Sequence, residues 1–111
     1  MLYNEYELLE LFENEPIVMA DEQTGMFMYI KNDDFGFKLI LNISQHEDKC
    51  SVSLSYEKIK GVIFDFELEG IEQIKGEDNH LIILGNDDRT EVKISVKPHF
   101  GLKTVKLCNS K

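Results

Sequence analysis

Tryptophan is absent from this chain, cysteine and proline occur twice each, and no apolar run approaches the ~20 residues that a membrane-spanning helix requires. Each shortage removes a class of protein. Two cysteines, Cys50 and Cys108, are too few for a disulfide framework, so reduced, structural thiols are expected. The opening MLYNEYELLE has neither the positive end nor the apolar stretch of a secretory signal, and the cytoplasm is the expected compartment. No glycine-rich phosphate loop is present, which sets nucleotide binding aside. Bases are scarce as well, 12 Lys and Arg against 21 Asp and Glu. A net charge of -9 argues against nucleic acid as a direct ligand, because phosphate binding needs a net basic footprint.

What the chain does contain is unevenly distributed. Residues 1–48 hold eleven acids against Lys31 and Lys38, whereas residues 49–111 hold ten acids and ten bases. After Glu91 no acid follows, while Lys93, Lys97, Lys103, Lys106 and Lys111 remain. Such a chain makes a dipolar surface or folds its basic tail onto its acidic part. The acidic excess suits a basic protein partner, and it also serves plain solubility. At 111 residues the chain is expected to form a single domain, 1–111, around one modest core, for which 42% apolar residues and seven Phe are sufficient filling.

The segment that organises the rest is Lys58 to Lys75, KIKGVIFDFELEGIEQIK. From Val62 one phase reads Val62, Phe64, Phe66 and Leu68, and the other reads Ile63, Asp65, Glu67 and Glu69. This is a strand with an apolar face and an anionic one. Gly70 either bends it or ends it. Upstream, Asn4 to Glu15 reads as a short helix: Asn4 caps it, Glu7 is the capping-box partner, and Tyr6, Leu8, Leu9, Leu11 and Phe12 make its apolar face before Pro16 closes it. Ile17 to Ala20 suggests a short strand, Asp21 to Gly25 a break, and Met26 to Lys31 a strand apolar on both faces.

Gly36 to Ser44 and Cys50 to Tyr56 then form a hairpin, with Phe37, Leu39, Leu41, Ile43, Cys50, Val52, Leu54 and Tyr56 inward. Turns at 76–79 and 85–88 separate further strands at Leu81–Leu84, Thr90–Lys97 and Leu102–Leu107, the last at an edge where lysines discourage pairing. The expected fold is therefore mainly β (α+β). It comprises an antiparallel sheet of about seven strands curled into a sandwich or partly open barrel, with one N-terminal helix (about 4–15) packed on a β region of about 17–107.

Little in the chain points to catalysis. His46, His80 and His99 lie in or beside loops in no metal-ligand spacing. Ser51, Ser53 and Ser55 are the outward phase of a strand, and Cys50 is in a buried phase. Asn32-Asp33-Asp34-Phe35-Gly36 and Gly85-Asn86-Asp87-Asp88 resemble fragments of calcium loops, but tight turns use these residues for their own backbone reasons. Asp65 and Glu67 share a face at a separation that glycoside hydrolysis could use, without the aromatic platform that a sugar site favours. No metal or cofactor is expected.

The run LELFENEP, followed by GFKLILNIS, CSVSLSY and GVIFDFELEGIEQI, resembles the layout of small bacterial immunity proteins that accompany polymorphic secreted toxins. The resemblance lies in the plan of residues 9–75 and carries over no site residues. It implies a mainly β, non-enzymatic protein that binds and neutralises a cognate toxin. On that reading the partner is a basic protein, a toxin domain, and the candidate contacts are Glu7, Glu10, Asp33, Asp34, Asp65, Glu67 and Glu69. The alternative is a small-ligand-binding or catalytic β domain, with Tyr6, Tyr29 and Tyr56 as polar groups in a pocket between helix and sheet. Ile40 and Ile63, in outward phases, leave both monomer and homodimer open.

Overall fold

The computed structural model describes residues 1–19, 24–87 and 89–107. In chain order these form β1 (Leu2–Tyr3), α1 (Glu5–Phe12), β2 (Ile17–Val18), β3 (Met26–Asn32), β4 (Phe37–Ser44), β5 (Lys49–Tyr56), β6 (Val62–Leu68), β7 (Ile71–Glu77), β8 (His80–Gly85), β9 (Glu91–Ser95) and β10 (Gly101–Lys106). The strands make two five-stranded sheets: sheet I in the order β1-β7-β8-β9-β10, and sheet II in the order β2-β3-β4-β5-β6. The sheets do not close into a barrel. All pairings among the described residues are antiparallel except that of β1 on β7.

Period-two patterning decides which faces meet. On sheet II, Tyr29, Leu41, Val52 and Phe66 form one inward row across four strands, and Ile43, Cys50 and Leu68 continue the next. On sheet I the inward row is Tyr3, Ile74, Ile83 and Val92. These rows and Leu8, Leu11 and Phe12 of α1 join in one continuous core. Phe12 lies against Tyr29 with ring centroids 5.5 Å apart, so the helix touches the inner face of sheet II. Gly76 places it on sheet I as well, since a side chain there would meet the Glu7 carbonyl.

Gly70, at φ +65°, ends β6 instead of bending it, and hands the chain from sheet II to sheet I. The fold is thus two successive four-stranded meanders, β3 to β6 and β7 to β10, each with a two-residue strand added at one edge. The β1 strand was not expected. Its only ladder is to Gln73 and Ile74, so no local pattern announces it.

Several expected boundaries shift for identifiable reasons. The helix ends at Phe12, not at Glu15, because Glu13 adopts the left-handed conformation and donates its N–H back to Leu9. Asn4 caps as expected, accepting from Tyr6 N and Glu7 N, but Glu7 turns its carboxylate to Gly76 N at 3.4 Å instead of closing a capping box. Tyr6 is 82% exposed and stands off the apolar face. Gly76 belongs to β7, and the turn after it consists of Asp78 and Asn79, both at positive φ as a two-residue hairpin of the I′ kind requires. A register shift between Leu54 and Ser55 puts a bulge at the start of β6, which leaves Val62 exposed together with Ile63 instead of inward. Ala20, Asp21 to Gln23, Asp88 and Cys108 lie outside the described residues. No helix among the described residues is long and apolar enough to cross a membrane.

Candidate functional site

The outer face of sheet II carries the most unusual surface of the molecule. Strand register lines its outward residues into rows, and one row runs Ile17, Met28, Asn42, Ser51, Glu67 across all five strands. The next runs Ile30, Ile40, Ser53, Asp65. Along the first of these rows the face therefore grades from apolar Ile17 and Met28, through Asn42 and Ser51, to anionic Glu67, while Ile40 keeps the middle of the second row apolar. The Asn42 amide donates to the Ser51 hydroxyl at 3.2 Å across the middle of the floor. A hollow of about 460 Å³ opens at one end, lined by Met19, Met26, Met28, Ser44, Lys49 and Glu67 among others.

The carboxylates expected to meet a partner occupy three separate places. Asp65 and Glu67 project outward from β6, about 7 Å apart by strand geometry, and no described residue forms an ion pair with either. Glu69, just past the strand, lies 3.5 Å from Lys49 Nζ, which also approaches Glu47 at 3.6 Å. The hydrogen bond that the Lys49 ammonium donates to Glu69, and the charge of Glu47, hold that ammonium above its usual range. Asp33 is engaged within its own turn, its Oδ1 accepting from Phe35 N and Phe37 N at 2.9 Å each, while Asp34 stands exposed beside it. Turn chemistry accounts for Asp33.

Glu7 and Glu10 border a crevice of only about 80 Å³ between α1 and the β7–β8 turn. Lys97 crosses it and donates to the Glu10 carbonyl at 2.9 Å. Among the described lysines after Glu91, Lys97 reaches α1, while Lys93 lies in a row with Lys75 on the outer face of sheet I, flanking the buried Ile82. Among the described residues, the lysines after Glu91 form no ion pair with Asp65 or Glu67.

The tyrosines of the ligand-pocket reading do not converge. Tyr6 is in solvent, Tyr56 stacks on Phe37 at 4.5 Å, and Tyr29 is packed into the core, where burial chiefly pushes its hydroxyl up to about 12. The space between helix and sheet is filled by Leu8, Leu11 and Phe12. Cys50 is buried too, its thiol raised to about 12 by loss of water, which removes nucleophilic character. The histidines stay apart: His80 donates from Nδ1 to the Asp78 carbonyl, His99 packs its ring 5.8 Å from Phe35, and His46 lies over Gly25. Among the described residues no three His, Cys, Asp or Glu side chains gather as a metal ion would need.

No protein-family model matches the chain, and no curated protein matches its sequence. A solved structure does resemble it. Over 94% of this chain and 94% of the other, the fold superposes with a TM-score of 0.75 and 17% sequence identity on a chain of a contact-dependent growth inhibition toxin–immunity protein complex from Klebsiella pneumoniae 342. The two share a fold. That fold agrees with the mainly β architecture expected from the sequence. Sequence reasoning found the anionic row but missed the apolar half of the same face. Met26, Met28 and Ile30 were legible as an outward apolar phase, yet only the strand register puts them in line with Ser51 and Glu67.

Proposed function

We propose that this protein is a non-enzymatic immunity protein, which binds a basic toxin domain through the outer face of sheet II and neutralises it. The observation that carries the reading is the outward pair Asp65 and Glu67, unclaimed by any described cation on a chain of net charge -9. The fold likeness to a chain of a toxin–immunity complex gives it direction. Opposite charge speeds encounter and makes association weaken with salt. Burial of the Cys50 thiol and the scattered histidines favour binding over catalysis.

The test is to read the coding sequence directly upstream of the gene, where a toxin is expected, and to co-express its toxin domain with this protein. Wild-type protein restores growth, and Asp65→Lys combined with Glu67→Lys abolishes protection while the purified variant keeps its unfolding midpoint. A wild-type protein that neither protects nor binds, or a complex indifferent to salt, refutes the reading.

A further inference from the structure

Asp65 and Glu67 occupy only one side of the outer face of sheet II, and the other side makes a different demand. Ile17 is 51% and Met26 41% exposed, and Met28 and Ile30 are half-buried in the outward phase of β3. These side chains face water, and Met26 and Met28 line one end of the hollow of about 460 Å³, whose other end reaches Lys49 and Glu67. Methionines are flexible and polarisable, and adapt to the shape of what they receive. From Met28 the register leads through Asn42 and Ser51 to Glu67. Three inter-strand steps of about 4.8 Å separate the two ends, or about 14 Å. The side chains between them are short and joined by a hydrogen bond, so a partner can approach the sheet closely there.

We infer that recognition at this face is bipartite. It rests on the toxin-binding reading and specifies the partner's chemistry: one apolar anchor side chain seated at the methionine end of the hollow, and an arginine or lysine meeting Asp65 and Glu67 about 14 Å across the strands from Met28. A second copy of this chain is a poor occupant, because it brings another net charge of -9. A cationic protein segment satisfies both ends. The hollow supplies the desolvated contact in which binding energy concentrates, and the carboxylates supply steering and register.

Calorimetric titration of the full chain with the toxin domain identified by the co-expression test, at low and high salt, separates the two parts. Met28→Ala is expected to weaken binding at least about tenfold at every salt concentration, and Met28→Leu to retain it. Glu67→Gln is expected to flatten the salt dependence. Lys93→Ala, on the outer face of sheet I, is the control and leaves the affinity within about twofold. In the wild-type complex, Met26 and Met28 are protected from peroxide oxidation, a measurement that requires no variant to fold. Met28→Ala binding within twofold of wild type, or methionines oxidised equally in the free and bound protein, overturns the bipartite site while leaving salt-sensitive toxin binding intact. Absence of wild-type binding removes both.

Discussion

Gly76 is where helix and sheet come closest, and a side chain there puts opposite demands on the fold. A Cβ built at this position lies 3.1 Å from the Glu7 carbonyl oxygen and 3.5 Å from Leu11 Cδ2. The oxygen belongs to helical backbone and cannot rotate away, so α1 must lift by a few tenths of an ångström even for alanine. Against that cost stands a gain, because glycine in a strand is less favourable than alanine by roughly 0.5–1 kcal/mol. Gly76→Ala is therefore expected to come out between neutral and about 1 kcal/mol destabilising.

Valine changes the balance. Judged by strand propensity alone it should stabilise, since valine is favoured in strands on a scale spanning about 1 kcal/mol. Its two methyl groups instead point into the seam filled by Leu8 and Leu11, both buried. Overpacking of this kind costs about 1–3 kcal/mol, and lifting α1 also strains the Phe12 to Tyr29 contact and the Glu7 bond to Gly76 N. Gly76→Val is expected to lose about 2–3 kcal/mol, a large share of the 5–15 kcal/mol typical of a domain. In urea unfolding, with slopes of about 1–3 kcal/mol/M, the midpoint should fall by about 1 M or more. The sign decides: a valine variant as stable as wild type would mean that α1 does not rest on this strand.

Two further outcomes follow from the ionisable groups. Glu13 is held below its ordinary value of 4.5 first by its hydrogen bond and charge pairing with Lys31 and then by Lys97, so it contributes stability above pH 4.5 that is lost as the pH falls through its lower folded value. Glu13→Gln should lower the urea midpoint at pH 7 and merge with wild type at strongly acid pH; a constant gap at all pH values would show that the pairing does not contribute through charge. Cys50 should be inert: in a Cys108→Ser background, a thiol reagent at pH 8 should modify the native protein no faster than global unfolding allows and react at once in urea. Rapid native labelling would show that the core around it opens.

The β4–β5 hairpin was legible because its inward residues alternate over the full length of both strands, and pairs such as Ile43 with Cys50 and Leu41 with Val52 follow from the loop between them. The apolar and anionic phases of β6 were legible on the same ground from Phe64 onward. What could not be read depends on contacts distant in sequence. Leu2 and Tyr3 become a strand only because Gln73 and Ile74 lie alongside. Gly76 looked like a turn residue beside Glu77, Asp78 and Asn79, yet it is there to let a helix approach. The helix stops early at Glu13, a residue that rarely adopts the left-handed form, while the Asn14 amide reaches both Phe12 O and Ile30 O and ties the stop to β3. The methionine hollow is likewise a product of register, invisible until β3 and β6 are aligned.

The carboxylates of β6 have a second physical role from which docking must be separated. This strand of seven residues is the outermost of sheet II, with no described strand on its other side, and charged side chains are one way that proteins keep such an edge from pairing with another chain. The bulge at Val62 and Ile63 serves the same end. Guarding an edge is indifferent to the sign of the charge, whereas attracting a basic partner is not. Asp65→Lys with Glu67→Lys should therefore leave the protein monomeric in sedimentation yet unable to bind, because the edge remains charged and the attraction is reversed. The neutral pair, Asp65→Asn with Glu67→Gln, should weaken binding less and flatten its salt dependence, and it alone should promote self-association. If the lysine pair binds the toxin as wild type does while the neutral pair aggregates, the row is an edge guard and the docking surface lies elsewhere.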